Sequence, residues 1–210
     1  MVNRGRFISF EGGEGAGKST QVALLEAALT SRAIKCLTTR EPGGSPGAEE
    51  IRNLLVKGDL DRWDPICEAL LHFTARRHHV TKVIEPALRD GTWVICDRYT
   101  DSTVAYQGYG QGLNISWIED LHRIVAGDLW PDLTIILDVP VKDGFDRISS
   151  RRSGDDRYER MDSEFHSRLR RGFLDIAKNH SKRCRIIDSS QSVEDVHNAV
   201  LDLVQEQLCY

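Results

Sequence analysis

The chain has 210 residues, 40% hydrophobic and 29% charged, enough apolar material for one folded domain and too much for a disordered chain. Lys and Arg total 28 against 32 Asp and Glu, a formal charge of −4, which counts against a general binder of nucleic acid. The five cysteines, Cys36, Cys67, Cys96, Cys184 and Cys209, form no CxxC pair, so a reducing cytoplasm is expected rather than a disulfide framework or a zinc site. Residues 1–6 are polar and basic with no secretory apolar run, and no stretch is long enough to span a membrane.

Residues 6–10 (RFISF) read as a strand and 19–31 as a helix, with Val22, Leu25, Ala28 and Leu29 on one face. A second strand is expected over 35–39, then helices over 48–56 and 66–84. The near-continuous apolar runs 92–96 and 133–138 suit strands buried on both faces. Helices are expected over 117–126 and 142–151. Residues 149–161 (SSRRSGDDRYERM) are crowded with charge, broken by Gly154, and read as an exposed loop. A helix over 162–179, a short strand over 185–187 and a helix over 193–207 complete the chain. Ser192 and Asp195 are spaced as a capping box for that last helix. Strands alternating with helices predict a single α/β domain, a parallel five-stranded sheet flanked by helices.

The strongest motif is Gly12-Gly13-Glu14-Gly15-Ala16-Gly17-Lys18-Ser19, followed by Thr20, which fits G-x-x-x-x-G-K-[ST] between a strand and a helix. Glycines let successive N–H groups curl around phosphate oxygens, and the helix N-terminus adds its positive dipole end. Lys18 supplies charge to the β/γ phosphates and Ser19 a hydroxyl to Mg²⁺. No D-x-x-G or N-K-x-D element occurs, which removes most of the GTPase reading. A small P-loop kinase becomes the leading class.

Asp97-Arg98-Tyr99 ends the third strand, at the sheet edge where ligands bind, so Asp97 could hold Mg²⁺ and Arg98 a phosphate. A structural ion pair would equally explain Asp97. Thr39-Arg40-Glu41-Pro42-Gly43-Gly44 ends the second strand with a rigid turn, functional or merely solvated. Phe73 and Arg77 share a helix face, suiting a base-stacking ring beside a guanidinium; core packing suits Phe73 as well. The adjacent His78 and His79 match no metal spacing and read as surface or packing residues.

EGGEGAGKST, TREPGG, LLHFTARR, DRYTDSTVAYQG and PDLTIILDV, in this order over nearly the whole chain, resemble the thymidylate kinase family. The resemblance implies a P-loop nucleoside monophosphate kinase fold, usually homodimeric and cytoplasmic, transferring phosphate from MgATP to dTMP. It implies that Phe73 stacks on thymine, Arg77 meets the base edge, and Thr103 and Gln107 complete the polar readout. Tyr106 would occupy the place of a ribose 2′-OH, and Glu14 would face the 3′-OH. Arg40, Arg52 and Arg98 would surround the dTMP phosphate, with Glu41 in the same site. The P-loop lacks the arginine that some members carry. In this the chain resembles the bacterial-type branch, whose lid, here 149–161, would supply Arg152 and Arg157 with Arg151 as neighbour. A kinase for another nucleoside monophosphate, or a nucleotide-binding switch without transfer, remain the alternatives.

Overall fold

The computed structural model describes residues 4–149 and 157–208. Five strands form one parallel sheet: β1 Phe7–Glu11, β2 Cys36–Arg40, β3 Trp93–Asp97, β4 Leu133–Asp138 and β5 Cys184–Asp188, in the order β2-β3-β1-β4-β5. Every residue of β1 is buried, as is β4 up to its last residue, because helices cover both faces. The helices are α1 Lys18–Ser31, α2 Pro46–Val56, α3 Pro65–His79, α4 Glu85–Arg89, α5 Thr100–Thr103, α6 Ile115–Ala126, α7 Val141–Ser149, α8 Ser163–Asn179 and α9 Val193–Leu208. α1 and α9 pack over one sheet face around Leu25, Leu29, Val200 and Val204; α8 packs over the other around Leu169, Phe173 and Ile176.

The expected strands and long helices are present, with ends displaced by at most two residues; the last two residues of the helix expected over 142–151 lie outside the described ones. Two differences matter. The helix expected over 66–84 is α3 followed by a π-helical stretch, Val80–Ile84. The segment after β3, for which no element is expected, is α5 running into a second π-helical stretch, Val104–Gly110. Its apolar residues Val104, Ala105 and Tyr106 are buried against α8, so tertiary packing rather than local propensity holds it. The Ser192–Asp195 cap is present, with the Asp195 N–H donating to Ser192 Oγ at 3.1 Å.

The sheet order sets the site. β1 neighbours β3 on one side and β4 on the other, so the chain leaves β1 at a topological switch point. The C-terminal ends of β1, β2 and β3 place Glu11, Arg40 and Asp97 along one edge, with the Gly-rich loop rising from β1 between them.

Candidate active site

A cavity of about 330 Å³ opens at that edge, lined by the loop Glu14–Thr20 and by side chains from β2, β3, α2, α3 and α5. The glycines are needed for the loop's shape. Gly15 has φ +69°, and a Cβ there would lie 2.1 Å from the Gly144 carbonyl oxygen. Gly17, at φ 88°, caps α1 without a side-chain acceptor, which leaves the helix's N-terminal amides facing the cavity mouth.

Lys18 is buried and folds back onto the loop, donating to Gly13 O at 2.8 Å and Gly12 O at 3.2 Å. Burial, helped by repulsion from Arg98, pushes its ammonium down to about 8 against the pull of Glu14, Asp97 and Glu11. A buried cation short of anions is a site prepared for phosphate. Ser19 Oγ donates to Asp97 Oδ2 at 2.7 Å, so the two expected metal ligands do meet. Both are hard oxygen donors beside Lys18, a set that suits Mg²⁺, which keeps several waters and takes further oxygens from phosphates. Among the described residues, no group of three or more His, Cys, Asp or Glu could hold an ion by itself.

Arg40, Arg52 and Arg98 all line the cavity. Arg40 pairs with Glu49 at 3.1 Å, and Arg52 donates to Pro42 O at 2.8 Å. Arg98 sits at φ 69°, a left-handed conformation that costs a non-glycine residue about 1 kcal/mol or more. Its guanidinium donates to Gly12 O at 2.9 Å and Glu14 Oε1 at 2.9 Å, and lies 4.9 Å over the Tyr106 ring. Burial would raise the Glu14 carboxyl, but Arg98 and Lys18 overcome it and hold it at about 2. Tyr106 also donates to Glu14.

The base-facing residues differ from expectation. Phe73 is buried in the core with Val104, Tyr106 and Phe165, and does not line the cavity. Arg77 points outward and donates to Val125 O on α6 at 2.8 Å. The residues that face the cavity are their neighbours His72 and Arg76, which also stand four apart. One residue along a helix is a rotation of about 100°, and the longer apolar ring takes the core side. Spacing alone fits both pairs; only the packing of α3 against α2 and α6 separates them. His72 Nε2 shares a 2.9 Å hydrogen bond with Tyr158 OH, and burial with Arg76 nearby pushes the imidazole down to about 3, so it is neutral. His72→Ala is expected to raise KM for the ligand of this cavity about tenfold with little loss of stability. Phe73→Ala is expected to cost about 3–5 kcal/mol of stability, with KM per folded molecule nearly unchanged. Denaturant titrations alongside substrate saturation curves separate the two.

Arg76 is almost completely buried. Its Nε donates to Glu41 Oε2 at 2.7 Å and its Nη2 to Thr103 Oγ1 at 3.0 Å. Glu41 lines the cavity, but both carboxylate oxygens are taken by Arg76 and His79, and that pairing holds the carboxyl below its ordinary value despite burial. His79, read from sequence as a packing residue, bridges Glu41 and Thr39 from a fully buried position. Gln107 Nε2 donates to Glu68 Oε1 at 2.7 Å, which fixes the amide because a carboxylate only accepts. The buried Arg76 Nη1 and Gln107 Oε1 have no hydrogen-bond partner.

Arg157, expected among the lid's catalytic arginines, is fully buried instead. It pairs with Glu68 and donates to Leu55 O and Leu60 O at 3.1 and 2.9 Å, tying the end of the 149–161 segment to α2 and α3. Glu68 is itself fully buried and captures the cation, so Arg157 is an anchor and not a cavity residue. Arg151 and Arg152 lie outside the described residues. Sequence reasoning missed His72, Arg76, Glu68, Ser102 and Tyr158; TARR carried the signal for Arg76 one residue out of register.

Glu11, buried beneath the loop, is raised above its ordinary 4.5 by burial and then by Asp101. The folded state therefore retains this proton above pH 4.5 while the unfolded chain releases it, so the group's contribution falls as pH rises. Glu11→Gln carries no such group. Its stability relative to the parent chain is expected to grow by up to about 1.4 kcal/mol per pH unit above about 4.5, measured by denaturant unfolding at pH 5 and pH 8.

A P-loop on a parallel sheet, a buried lysine and an arginine-lined cavity continuous with the loop define a phosphotransferase of the small nucleotide kinase class. The family model for thymidylate kinase matches residues 10–200. The chain is 48% identical over 207 residues to the thymidylate kinase of Caulobacter vibrioides, covering 99% of each, and 50% identical over 203 residues to that of Thermomicrobium roseum, covering 95% of this chain and 94% of the relative. The crystal structure of thymidylate kinase from Ehrlichia chaffeensis superposes with a TM-score of 0.79 at 39% identity, covering 96% of this chain and 99% of that one. The chain belongs to the thymidylate kinase family, and it is a phosphotransferase. No helix among the described residues is long and apolar enough to cross a membrane.

Proposed function

We propose that this chain transfers the γ-phosphoryl group of MgATP to dTMP, giving dTDP and ADP for dTTP synthesis, with the cavity residues in the roles given below. One observation carries the choice of base. Arg76 Nη1 is an unpartnered donor and Gln107 Oε1 an unpartnered acceptor, both buried in one cavity. Thymine presents the complement, an O4 acceptor beside an N3–H donor. Cytosine presents the reverse and would leave both protein groups unsatisfied. His72, neutral and pinned by Tyr158, offers a flat ring for the base. Tyr106 and Glu14 close the sugar compartment, favouring a 2′-deoxy sugar with its 3′-OH against Glu14.

Arg40, Arg52 and Arg98 line the cavity where the dTMP phosphate would lie, and the P-loop Gly12–Thr20, with Lys18, would take the ATP phosphates. A dTMP phosphate oxygen attacks the γ-phosphorus in line, and the bond to the ADP oxygen breaks as the new P–O bond forms. A phosphate is already nucleophilic, so the chain's work is to hold two anions together and offset their charge. Ser19 and Asp97 would hold one Mg²⁺, whose chemistry is to neutralise the β/γ oxygens. Arg151 and Arg152, in the lid 149–161, are assigned to the transferring group. Exposed Ile66 and Leu70 on α3 and Ile124 on α6 support a homodimer through those packed helices. The free Cys36, Cys67, Cys96 and Cys184 support a cytoplasmic protein.

A panel of dTMP, dUMP, dCMP and dGMP with MgATP tests the base assignment. Both 4-keto pyrimidines are expected to turn over, with dTMP exceeding dCMP by about 10³ or more in kcat/KM. Equal turnover of dCMP overturns the pairing with Arg76 and Gln107.

A further inference from the structure

The transfer as described uses Arg98 but leaves unexplained how a strained residue is held in place. Arg98 is one of two non-glycine residues with positive φ among the described residues. Its peptide is held on the N-terminal side by a 2.9 Å bond from Arg98 N–H to Phe10 O. On the other side, the Tyr99 N–H donates to Glu11 Oε1 at 2.7 Å. The second Glu11 oxygen shares a 2.5 Å hydrogen bond with Ser102 Oγ, and Ser102 Oγ in turn accepts from Arg98 Nη1 at 3.2 Å. One carboxyl therefore grips the backbone just beyond the left-handed residue and, through a hydroxyl, the tip of that residue's side chain. Glu11 is completely buried, so water does not compete for these bonds. Its neighbour Asp101 has both oxygens committed to Arg183, at 2.6 and 2.8 Å, and does not share the task.

We infer that Glu11 is a positioning residue for the acceptor substrate: it sets the backbone turn and the guanidinium direction of Arg98, and so governs dTMP affinity without touching dTMP. The contact is one of geometry, an acceptor at Oε1 and a hydroxyl partner at Oε2, and an amide supplies both. The inference rests on the assignment of Arg98 to the dTMP phosphate, and the experiment keeps the two apart.

Dissociation constants for dTMP and for ATP are measured by calorimetry on Glu11→Ala, Glu11→Gln, Arg98→Ala and the double variant Glu11→Ala/Arg98→Ala. Glu11→Ala is expected to weaken dTMP at least tenfold and ATP less than threefold. Glu11→Gln should stay within threefold of the parent chain for both. In the Arg98→Ala background the Glu11→Ala change should add less than threefold, because the two act as one unit. If Arg98→Ala leaves dTMP binding unchanged, the assignment of Arg98 fails, and the inference with it. If Arg98→Ala weakens dTMP but Glu11→Ala weakens both nucleotides alike, or adds its full effect to Arg98→Ala, Glu11 is only structural and the inference is overturned. Should Glu11→Ala not fold, Ser102→Ala cuts the same link. It is expected to weaken dTMP severalfold and ATP less than threefold, and no change there overturns the inference.

Discussion

Replacing Lys18 by methionine is expected to lower kcat by roughly 10³ and, at the same time, to stabilise the nucleotide-free protein. The first effect follows from the chemistry. Lys18 is the buried cation of the P-loop, and a preorganised charge on a transferring phosphoryl group has no substitute in an apolar side chain. The second follows from its environment. The ammonium titrates at about 8 in the fold against 10.5 ordinarily, so the folded protein holds this proton less tightly than the unfolded chain. That cost is fully present below pH 8 and fades as pH rises toward 10.5. It is up to about 3 kcal/mol, less whatever the bonds to Gly12 O and Gly13 O return. Unfolding curves at pH 7 and pH 10 check this: the methionine variant should melt higher at pH 7, with the gain shrinking at pH 10. A variant that loses both activity and stability at pH 7 would show that Lys18 is favourably paired before nucleotide binds. The trade is one that functional sites make, with stability spent on a charge that only the substrate satisfies.

Arg76→Ala is expected to remove two things. The first is the unpartnered Nη1 donor, so kcat/KM for dTMP should fall about 10²-fold and the preference over dCMP should largely collapse. The second is the partner of a buried carboxylate. Arg76 and Glu41 are both nearly inaccessible, and truncating one side of such a pair costs about 3–5 kcal/mol. The double variant Arg76→Met/Glu41→Gln distinguishes the roles. Its amide still meets His79 without a stranded charge, so stability should recover substantially while dTMP selectivity does not. Recovery of selectivity along with stability would mean that Arg76 acts only by holding the cavity's shape.

These two residues mark the limits of what the sequence carries. Lys18 was legible because its role depends on local chain geometry: a glycine-rich turn, one lysine and a helix start, all within eight residues of each other. The sheet was legible for a related reason. Runs such as LTIILD are apolar on both faces, and only a strand covered on both sides tolerates that. Asp97 and Arg40 followed, since a parallel sheet brings strand ends to one edge, and their register across β2 and β3 bears this out.

Arg76 was not legible. His72–Arg76 and Phe73–Arg77 have the same spacing, and which pair faces the cavity depends on how α3 is rotated against α2 and α6. Arg157 was expected as a catalytic cation because the family resemblance places a lid arginine there. It is an anchor because Glu68, 89 residues away in sequence, lies buried beside it. Glu11 lies just past the strand expected over 6–10 and carried no reading of its own, and its link to Arg98 runs through Tyr99 and Ser102, which only the α5 turn brings back over β1. The sequence by itself determined the α/β class, the phosphate loop and the family. The tertiary structure decided which face of each helix meets the ligand and which charges are already taken, because helix rotation and long-range ion pairing depend on packing between segments that local patterns do not encode.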